Sequence, residues 1–290
     1  MIARAEIRLG TLVEVALPEA DATDARFSAA FAAIAHVHRK MSAHDPASDL
    51  ARIERDAHCQ AIVVDEQTYA VLELALALCR ETHGAFDPSV VRAPMRGYGA
   101  STSNESSGSA GAFATSMILE RGNRVRTTAP IALDLGGIAK GHAVDRAIAA
   151  LIASGARGGV VNAGGDLCAF GSAGWTPIRV RHPALAALAA HVFDVRDAAV
   201  ATSADYFHPY GTLFEPGART LRPFGASVTV VAPRCALADA LTKVVARDAA
   251  RAPQTLTRHR AYALLLERRA DGVCATTTCA RPTSRLRFAV

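Results

Sequence analysis

The spacing of hydrophobic residues predicts alternating strands and helices along most of the chain. Residues 6–17 alternate between apolar and polar side chains, which is typical of a strand with one buried face. Residues 24–42, 66–82 and 142–153 repeat their apolar positions every three or four residues, and this period predicts helices. The apolar segment 227–233 predicts a buried strand, and a helix is predicted to follow it from about Leu237 to Val245.

Single residues mark the ends and faces of these helices. Asp24 and Ser48 are candidate N-caps, because a short polar side chain can accept a hydrogen bond from the free N–H groups of the first turn. In the helix 142–153, the predicted inner face includes Leu151 and Ile152.

The order of the elements favours one fold class. Helices and strands alternate irregularly, and several strands follow one another directly. This order predicts an α+β fold, with mixed sheets and packed helices, and disfavours a regular doubly wound sheet. The length of 290 residues suits a single domain over 1–290, in one piece or as two closely packed lobes. The polar stretch 100–112 is predicted to be a surface loop within that domain.

Composition argues against several classes of protein. The net charge is +5, but lysines and arginines form no dense run, so we expect no nucleic-acid partner. No apolar stretch reaches the roughly 18 residues needed to span a membrane. The N-terminus lacks the charged-then-apolar pattern of a signal peptide, so the cytoplasm is the expected compartment. The six cysteines form no CxxC pair and are expected to be reduced, mostly buried thiols.

The stretch LDLGGIAKGHAVD, residues 133–145, combines glycines with Lys140. A strand, a glycine turn and a helix start can together hold a phosphate on backbone N–H groups. The spacing fits neither the P-loop nor the GxGxxG pattern. The residues alone therefore leave two alternatives, an anion-binding turn and a simple tight turn.

Other short motifs are ambiguous when taken singly. NAGGD, residues 162–166, could be a β-bulge, and HGAFDPSV, residues 83–90, could be a capped turn. His208 is typical of a surface histidine. Asp239 lies on an otherwise apolar helix and is either a capping residue or an oxygen ligand for a hard cation.

Taken in order, seven segments resemble the sequential blocks of the FAD:protein FMN transferases, the ApbE-like flavin transferases. The segments are LGT, MSAHDPASDLARIE, THGAFDPSV, LDLGGIAKGHAVD, VVNAGGDL, ATSADY and SVTVVAPRCALADALTKVV, within residues 9–246. The resemblance implies FAD as substrate and a divalent metal, usually magnesium. It also implies transfer of FMN to a threonine or serine hydroxyl of an acceptor protein, with release of AMP.

The resemblance also implies roles for individual residues. Asp239 and Lys140 are the candidate catalytic residues, since a metal and a lysine can neutralise charge developing on phosphate oxygens. The expected protein ligands of the metal are Asp239 and the backbone carbonyls of Gly137 and Ala236. The expected FAD contacts are Leu9, His44, Ala85, Phe86, Asp87, Asp134 and Lys140, and His44 stands where the family commonly has a tyrosine beside the flavin.

The sequence departs from the family pattern at two places. The family helix usually carries a metal-binding threonine four residues after the aspartate, where this chain has Lys243. Either Thr242 replaces that ligand, or the ammonium of Lys243 partly occupies the place of the cation. We expect weaker metal binding from this change. The second departure lies at Glu215-Pro216, which could stand for an Asp-Pro of the family. No histidine precedes it at the matching place, since His208 is out of register.

Three functions follow as alternatives. The leading hypothesis is a magnesium-dependent FAD:protein FMN transferase. An FAD pyrophosphatase that gives FMN and AMP is the enzymatic variant. A non-catalytic FAD-binding protein is the alternative from another class, favoured by Lys243 and by the missing histidine. Many relatives of this kind are exported, which stands against the expected cytoplasmic compartment.

Overall fold

The computed structural model describes residues 1–89, 112–181, 189–204, 213–214, 221–222, 226–268, 274–279 and 285–288. His208, Glu215 and Pro216 lie outside the described residues, as does the predicted surface loop except for its last residue. The described residues fall into two compact units. The first consists of Met1–His38, Gly137–Pro209 and Phe224–Val290, and the second of Arg39–Gly136 and Tyr210–Pro223.

The helices of the described residues are α1 (Asp24–Met41), α2 (Asp49–Asp56), α3 (Glu66–Glu81), α4 (Ala112–Ser116), α5 (Ala139–Ala153), α6 (Cys235–Arg247) and α7 (Ala252–Arg258), with a 3-10 turn at Glu19–Asp21. The strands are β1 (Ile2–Arg8), β2 (Thr11–Leu17), β3 (Ile62–Val63), β4 (Met117–Glu120), β5 (Arg124–Thr127), β6 (Gly158–Ala163), β7 (Asp166–Gly171), β8 (Thr176–Arg181), β9 (Ala189–Val195), β10 (Ala198–Ala204), β11 (Leu213–Phe214), β12 (Leu221–Arg222), β13 (Ala226–Ala232), β14 (Tyr262–Arg268), β15 (Cys274–Cys279) and β16 (Leu286–Phe288). The predicted α+β class is confirmed.

The first unit is built on an eight-stranded sheet with the order β1-β2-β6-β7-β10-β13-β14-β15. Neighbouring strands of this sheet pair antiparallel throughout. Helix α6 packs on β10 and β13, and α5 packs on β6, β7 and α6. Residues of a second sheet, β16-β9-β8, share a core cluster with Val200, Val231 and Leu264. Strand β13 is therefore buried along its whole length, because both of its faces are covered.

The second unit carries α2, α3 and α4 beside a three-stranded sheet, β3-β5-β4. Ser48 caps α2 as predicted, with its hydroxyl accepting from the N–H of Ala51. The buried carboxylate of Asp49 accepts from Asp65 N at 2.8 Å and from the Thr68 hydroxyl at 3.0 Å. These bonds fix the start of α3 against α2, because a buried carboxylate is costly unless its oxygens are paired.

Three local predictions are wrong. Residues 6–17 are not one strand but the second half of β1, a two-residue turn and β2. Leu9 and Gly10 form the turn with φ of 54° and 71°, and positive φ at both positions is what a tight hairpin of this twist requires. Ile152 does not face inward, since it is 55% exposed. Asp24 lies inside α1, and the Thr23 hydroxyl accepts from Arg26 N in its place.

Asp21, the last residue of the 3-10 turn, links that turn to the residue before β6. Its carboxylate accepts from Arg157 N at 2.9 Å and from the Arg26 guanidinium at 3.1 Å. The backbone hydrogen bond from Arg157, with the charges of both arginines, holds the pKa of Asp21 below its usual value although burial opposes this. Asp21 therefore joins the start of α1 to a residue that is distant in sequence, Arg157.

The thiols match the expectation from the sequence in part. Cys79, Cys168 and Cys235 are buried thiols, whereas Cys59 is exposed. Burial raises the pKa of Cys168 to about 12 and that of Cys235 well above its usual value. No helix among the described residues is both long enough and apolar enough to cross a bilayer.

Candidate functional site

Helix α5 carries Lys140 at its N-terminus, directly after the glycines of the 133–145 motif. The helix begins at Ala139, so Lys140 lies in its first turn. A Cβ added at Gly141 would lie 2.2 Å from the carbonyl oxygen of Cys235, which no side chain can tolerate. Glycine at this position therefore allows the backbones of α5 and α6 to touch.

A side chain of α5, that of Asp145, caps the first turn of α6. The Asp145 carboxylate accepts from Cys235 N at 2.7 Å and from Ala236 N at 3.0 Å. These are the first backbone N–H groups of α6, which have no partner inside the helix. The carboxylate also complements the positive end of the helix dipole. Asp145 thus fixes the start of α6 relative to α5.

The tight turn of the NAGGD motif places Asp166 beside Lys140. Gly164 and Gly165 connect β6 to β7 with φ of 67° and 103°, and Asp166 is the first residue of β7. Asp166 is 2% exposed, and its carboxylate accepts a hydrogen bond from the Lys140 ammonium. The motif therefore forms a two-residue hairpin turn that places the buried carboxylate of Asp166 beside Lys140.

Asp239 lies at the centre of this group of charges. The residue is fully buried in the middle of α6. Its Oδ1 accepts from the Lys243 Nζ at 2.6 Å, and its Oδ2 accepts from Gly141 N at 3.3 Å. The Lys140 Nζ lies 3.8 Å from the same Oδ2. We call the residues Asp166, Lys140, Asp239 and Lys243 the charge cluster.

Lys140 and Asp239 stabilise each other in their charged forms. Burial alone would raise the pKa of Asp239, but Lys140 and Lys243 hold it below its usual value. Burial lowers the pKa of Lys140, yet the charges of Asp239 and Asp166 outweigh burial and the pKa lies above its usual value. Lys140 is therefore protonated at neutral pH.

The pKa of Asp166 is shifted in the opposite direction from that of Asp239. Burial and the nearby charge of Asp239 raise its pKa, and the two lysines only partly offset this. The side chains of Lys140 and Lys243 are 33% and 18% exposed, while both carboxylates are buried. The cluster therefore presents only positive charge to solvent, which suits an anionic ligand.

Thr242 does not take the position of a metal ligand. Its hydroxyl donates to the backbone oxygen of Asp239 at 2.6 Å, one turn back on α6. The Thr242 Oγ1 also lies 2.7 Å from the Ser203 hydroxyl, which must then be the donor of that second bond. The Thr242 hydroxyl is thus held between the helix backbone and β10.

The predicted magnesium site does not fit this geometry. Among the described residues, no three His, Cys, Asp or Glu side chains are grouped as metal ligands. Magnesium binds oxygen at about 2.1 Å, so an ion on Asp239 Oδ1 would lie within about 5 Å of the Lys243 ammonium. At an effective dielectric constant of about 20, that repulsion is roughly 7 kcal/mol. Ala236 lies in the first turn of α6, and the Lys243 side chain lies beside Gly137, since a Cβ added there would be 3.1 Å from its Cε. The predicted metal-binding roles of the Gly137 and Ala236 carbonyls stay predictions.

Leu9, the remaining predicted FAD contact of the first unit, occupies the β1–β2 turn. Its backbone N–H donates to His38 Nδ1 at 3.0 Å. Positive φ is unfavourable for a leucine, and such strained residues persist only where their surroundings hold them. The hydrogen bond from Leu9 to α1 provides such support.

The other predicted FAD contacts belong to the second unit. His44 is exposed and lines a cavity of about 380 Å³ together with Asp45, Glu54 and Arg55. The Glu54 carboxylate also accepts from Leu133 N at 2.9 Å, which joins this cavity to the strand-like segment before Asp134. Glu54 is the last residue of the segment MSAHDPASDLARIE, but no role was predicted for it.

Ala85, Phe86 and Asp87 follow the end of α3 through two residues of positive φ, at 83 and 84. Phe86 is 3% exposed, so its ring belongs to the core. The Asp87 carboxylate accepts from Ser89 N and from the Ser89 hydroxyl, and Asp134 accepts from Gly136 N at 2.7 Å. The carboxylates of Asp87 and Asp134 therefore first of all shape their own loops.

Sequence reasoning missed two residues of the first unit. Asp166 was visible as the end of NAGGD, but its pairing with Lys140 depends on the β6–β7 turn and on the position of α5. Asp145 ends the 133–145 motif, yet it binds residues about 90 positions later in the chain. Neither contact could be found from local spacing.

The model of the ApbE family matches residues 9–265 of this chain. The chain belongs to the ApbE family. An FAD:protein FMN transferase of Rhodobacter capsulatus is 35% identical over 59% of this chain, and the match spans only 35% of that relative's length. An FAD:protein FMN transferase of Treponema pallidum is 29% identical, over 82% of this chain and 76% of its own.

Solved structures of ApbE proteins share the fold. The ApbE protein of Thermotoga maritima has a TM-score of 0.78 and 23% identity, covering 95% of this chain and 96% of its own. The apo flavinyl transferase ApbE of Pseudomonas stutzeri has a TM-score of 0.79 and 20% identity, covering 96% and 94%. At these identities the similarity shows the ApbE fold alone.

Proposed function

We propose that this chain is an FAD:protein FMN transferase, which moves FMN from FAD to a threonine or serine hydroxyl of an acceptor protein. The charge cluster is the observation that carries the proposal. It joins three of the sequence blocks of the family, those of Lys140, Asp166 and Asp239, and it turns two ammonium groups towards solvent. Relatives named FAD:protein FMN transferase support the same conclusion.

The proposed reaction is a phosphoryl transfer. The acceptor hydroxyl oxygen forms a bond to the phosphorus of the FMN half of FAD. The bond from that phosphorus to the bridging oxygen breaks, AMP leaves with the electron pair, and the hydroxyl proton is released to water. Stabilisation of negative charge on the phosphate oxygens is the main contribution that a protein can make to such a step.

Lys140 and Lys243 provide that stabilisation in the proposal. Asp166 and Asp239 hold the two ammonium groups in place, because each buried carboxylate needs a cationic partner. Because Asp239 is already paired with Lys243 at 2.6 Å, the proposed reaction includes no resident divalent metal. The expected FAD contacts outside the cluster remain predictions supported by the sequence blocks of the family: Leu9, His44, Ala85, Phe86, Asp87 and Asp134.

Incubation of the protein with FAD and candidate acceptor proteins tests the proposal. The expected product is an acceptor that keeps its flavin fluorescence after denaturing electrophoresis, together with AMP. Release of both FMN and AMP without an acceptor would instead identify an FAD pyrophosphatase. If no acceptor becomes labelled and no AMP forms under any condition, the proposed transferase is refuted.

The ion pair between Lys243 and Asp239 favours one second candidate, a flavin-binding protein without turnover. Such a protein would bind FAD tightly and release neither AMP nor FMN. Measurement of FAD binding beside the transfer assay separates the two candidates. The cytoplasmic compartment stays a prediction.

A further inference from the structure

The ammonium of Lys243 is positioned against the carboxylate of Asp239. The two residues are four positions apart on α6, a spacing that places an acidic side chain beside a following basic one. The stem of Lys243 runs over Gly137, since a Cβ added there would lie 3.1 Å from the Lys243 Cε. The glycine of the loop and the lysine of the helix thus fit each other.

The negative charge of Asp239 is compensated by the two lysines, because its other partner is a neutral N–H group. Gly141 N is a neutral donor at 3.3 Å, and the Lys140 Nζ is 3.8 Å away. The nearest cation is therefore the Lys243 ammonium at 2.6 Å. Thr242, the alternative oxygen ligand on the same helix, is bonded to the helix backbone and to Ser203.

The positions of the few lysines in this chain also associate an ammonium group with Asp239. Lysine and arginine together number 32, and only three of these residues are lysines: Lys40, Lys140 and Lys243. Two of the three contact Asp239. An ammonium is a compact point charge, whereas a guanidinium is broad and planar, so lysine is the side chain that comes nearest to a bound metal ion in size and shape.

We propose that the Lys243 ammonium replaces the divalent metal of this site, so that the chain binds the pyrophosphate of FAD without a metal ion. This inference rests on the proposed function for the identity of the ligand. The sequence predicted weaker metal binding, whereas this proposal is that the Lys243 ammonium takes the place of the metal ion altogether. Lys243 acts as a tethered cation that is always present, because its stem and its carboxylate partner belong to the same helix.

FAD titrations in EDTA and in MgCl2 test the replacement. The wild type is expected to bind FAD equally in both buffers. Lys243→Thr, which restores the side chain usual in the family, is expected to bind FAD about tenfold more weakly in EDTA, the loss of one charge-assisted hydrogen bond. Magnesium should restore binding to this variant. Lys243→Arg keeps the charge and is expected to stay independent of magnesium.

Lys40→Thr is the matched control, because it removes the same charge from the third lysine and lies outside the charge cluster. It is expected to bind FAD as the wild type does in both buffers. Thermal unfolding followed by circular dichroism shows whether each variant is folded. The replacement is overturned if magnesium strengthens FAD binding to the wild type several-fold.

Titration of the free protein with Mn2+, followed by electron paramagnetic resonance, tests the metal site without FAD. Manganese favours the same oxygen ligands as magnesium. Saturable binding to Lys243→Thr but not to the wild type supports the replacement. Binding to the wild type, or to neither protein, overturns it. If the wild type binds no FAD in either buffer, the proposed function fails, and the Mn2+ titration still decides the question of the cation.

Discussion

Replacement of Gly141 by alanine tests the contact on which the site is built. The new Cβ would lie 2.2 Å from the Cys235 carbonyl oxygen and 2.5 Å from its carbon. Both atoms belong to the backbone of α6, so neither can rotate away, and α5 must shift from α6. Overpacking of this kind costs about 1–3 kcal/mol.

Helix propensity predicts the opposite sign. Alanine in the interior of a helix is favoured over glycine by about 1 kcal/mol. We expect the clash to outweigh that gain and to reduce the free energy of unfolding by up to about 2 kcal/mol. FAD affinity should fall as well, because Lys140 precedes Gly141 directly and Asp239 accepts from the Gly141 N–H.

Urea unfolding and FAD titration measure both effects. Gly122→Ala is the control, since its added Cβ would meet no atom within 4 Å. At its positive φ this control is expected to lose only about 1 kcal/mol of stability and to keep its FAD affinity. A Gly141→Ala protein that is as stable as the wild type, with unchanged FAD binding, would refute the close approach of α5 and α6.

Three further predictions concern residues outside the charge cluster. Asp145→Ala removes the cap of α6 and should lower the free energy of unfolding in urea by about 1–2 kcal/mol, whereas Asp145→Asn should recover part of the loss. Asp21 has a lowered pKa in the folded state, so its contribution to stability is present above its unfolded-state pKa and is lost as the pH falls through the folded-state pKa. Asp21→Asn should therefore be less stable than the wild type at neutral pH, and the two urea midpoints should converge in acid; a constant difference would contradict the assignment. Iodoacetamide at mildly alkaline pH should label Cys59 and spare the buried, protonated thiols of Cys168 and Cys235 until urea is added, as peptide mass mapping would show.

The periodic elements were predictable from the sequence because their signals are local. Helices α1, α3 and α6 begin and end within two residues of the apolar patterns that predicted them, and α5 begins three residues before its pattern. The β1–β2 turn was missed because Leu9 continues the apolar alternation while its backbone takes a positive φ. Composition does not reveal such a turn when its first residue is a leucine.

The site was predictable only where its contacts are short in sequence or belong to a family pattern. The pair of Asp239 and Lys243 follows from helical spacing. The contacts of Lys140 with Asp166 and Asp239 join different elements, 26 and 99 positions apart in the chain, and need the packed sheet to form. The packing of the Lys243 stem beside Gly137 joins a helix to a loop that is distant in sequence, so it could not be predicted from spacing.

A titration of the protein with FAD and with riboflavin tests the central claim most directly, because riboflavin has the same ring system and lacks the pyrophosphate. The account predicts that the wild type prefers FAD, since Lys140 and Lys243 present positive charge to the phosphates. It further predicts that Lys140→Gln loses much of that preference and keeps its affinity for riboflavin. Equal binding of FAD and riboflavin by the wild type, or an unchanged preference in Lys140→Gln, would contradict the account.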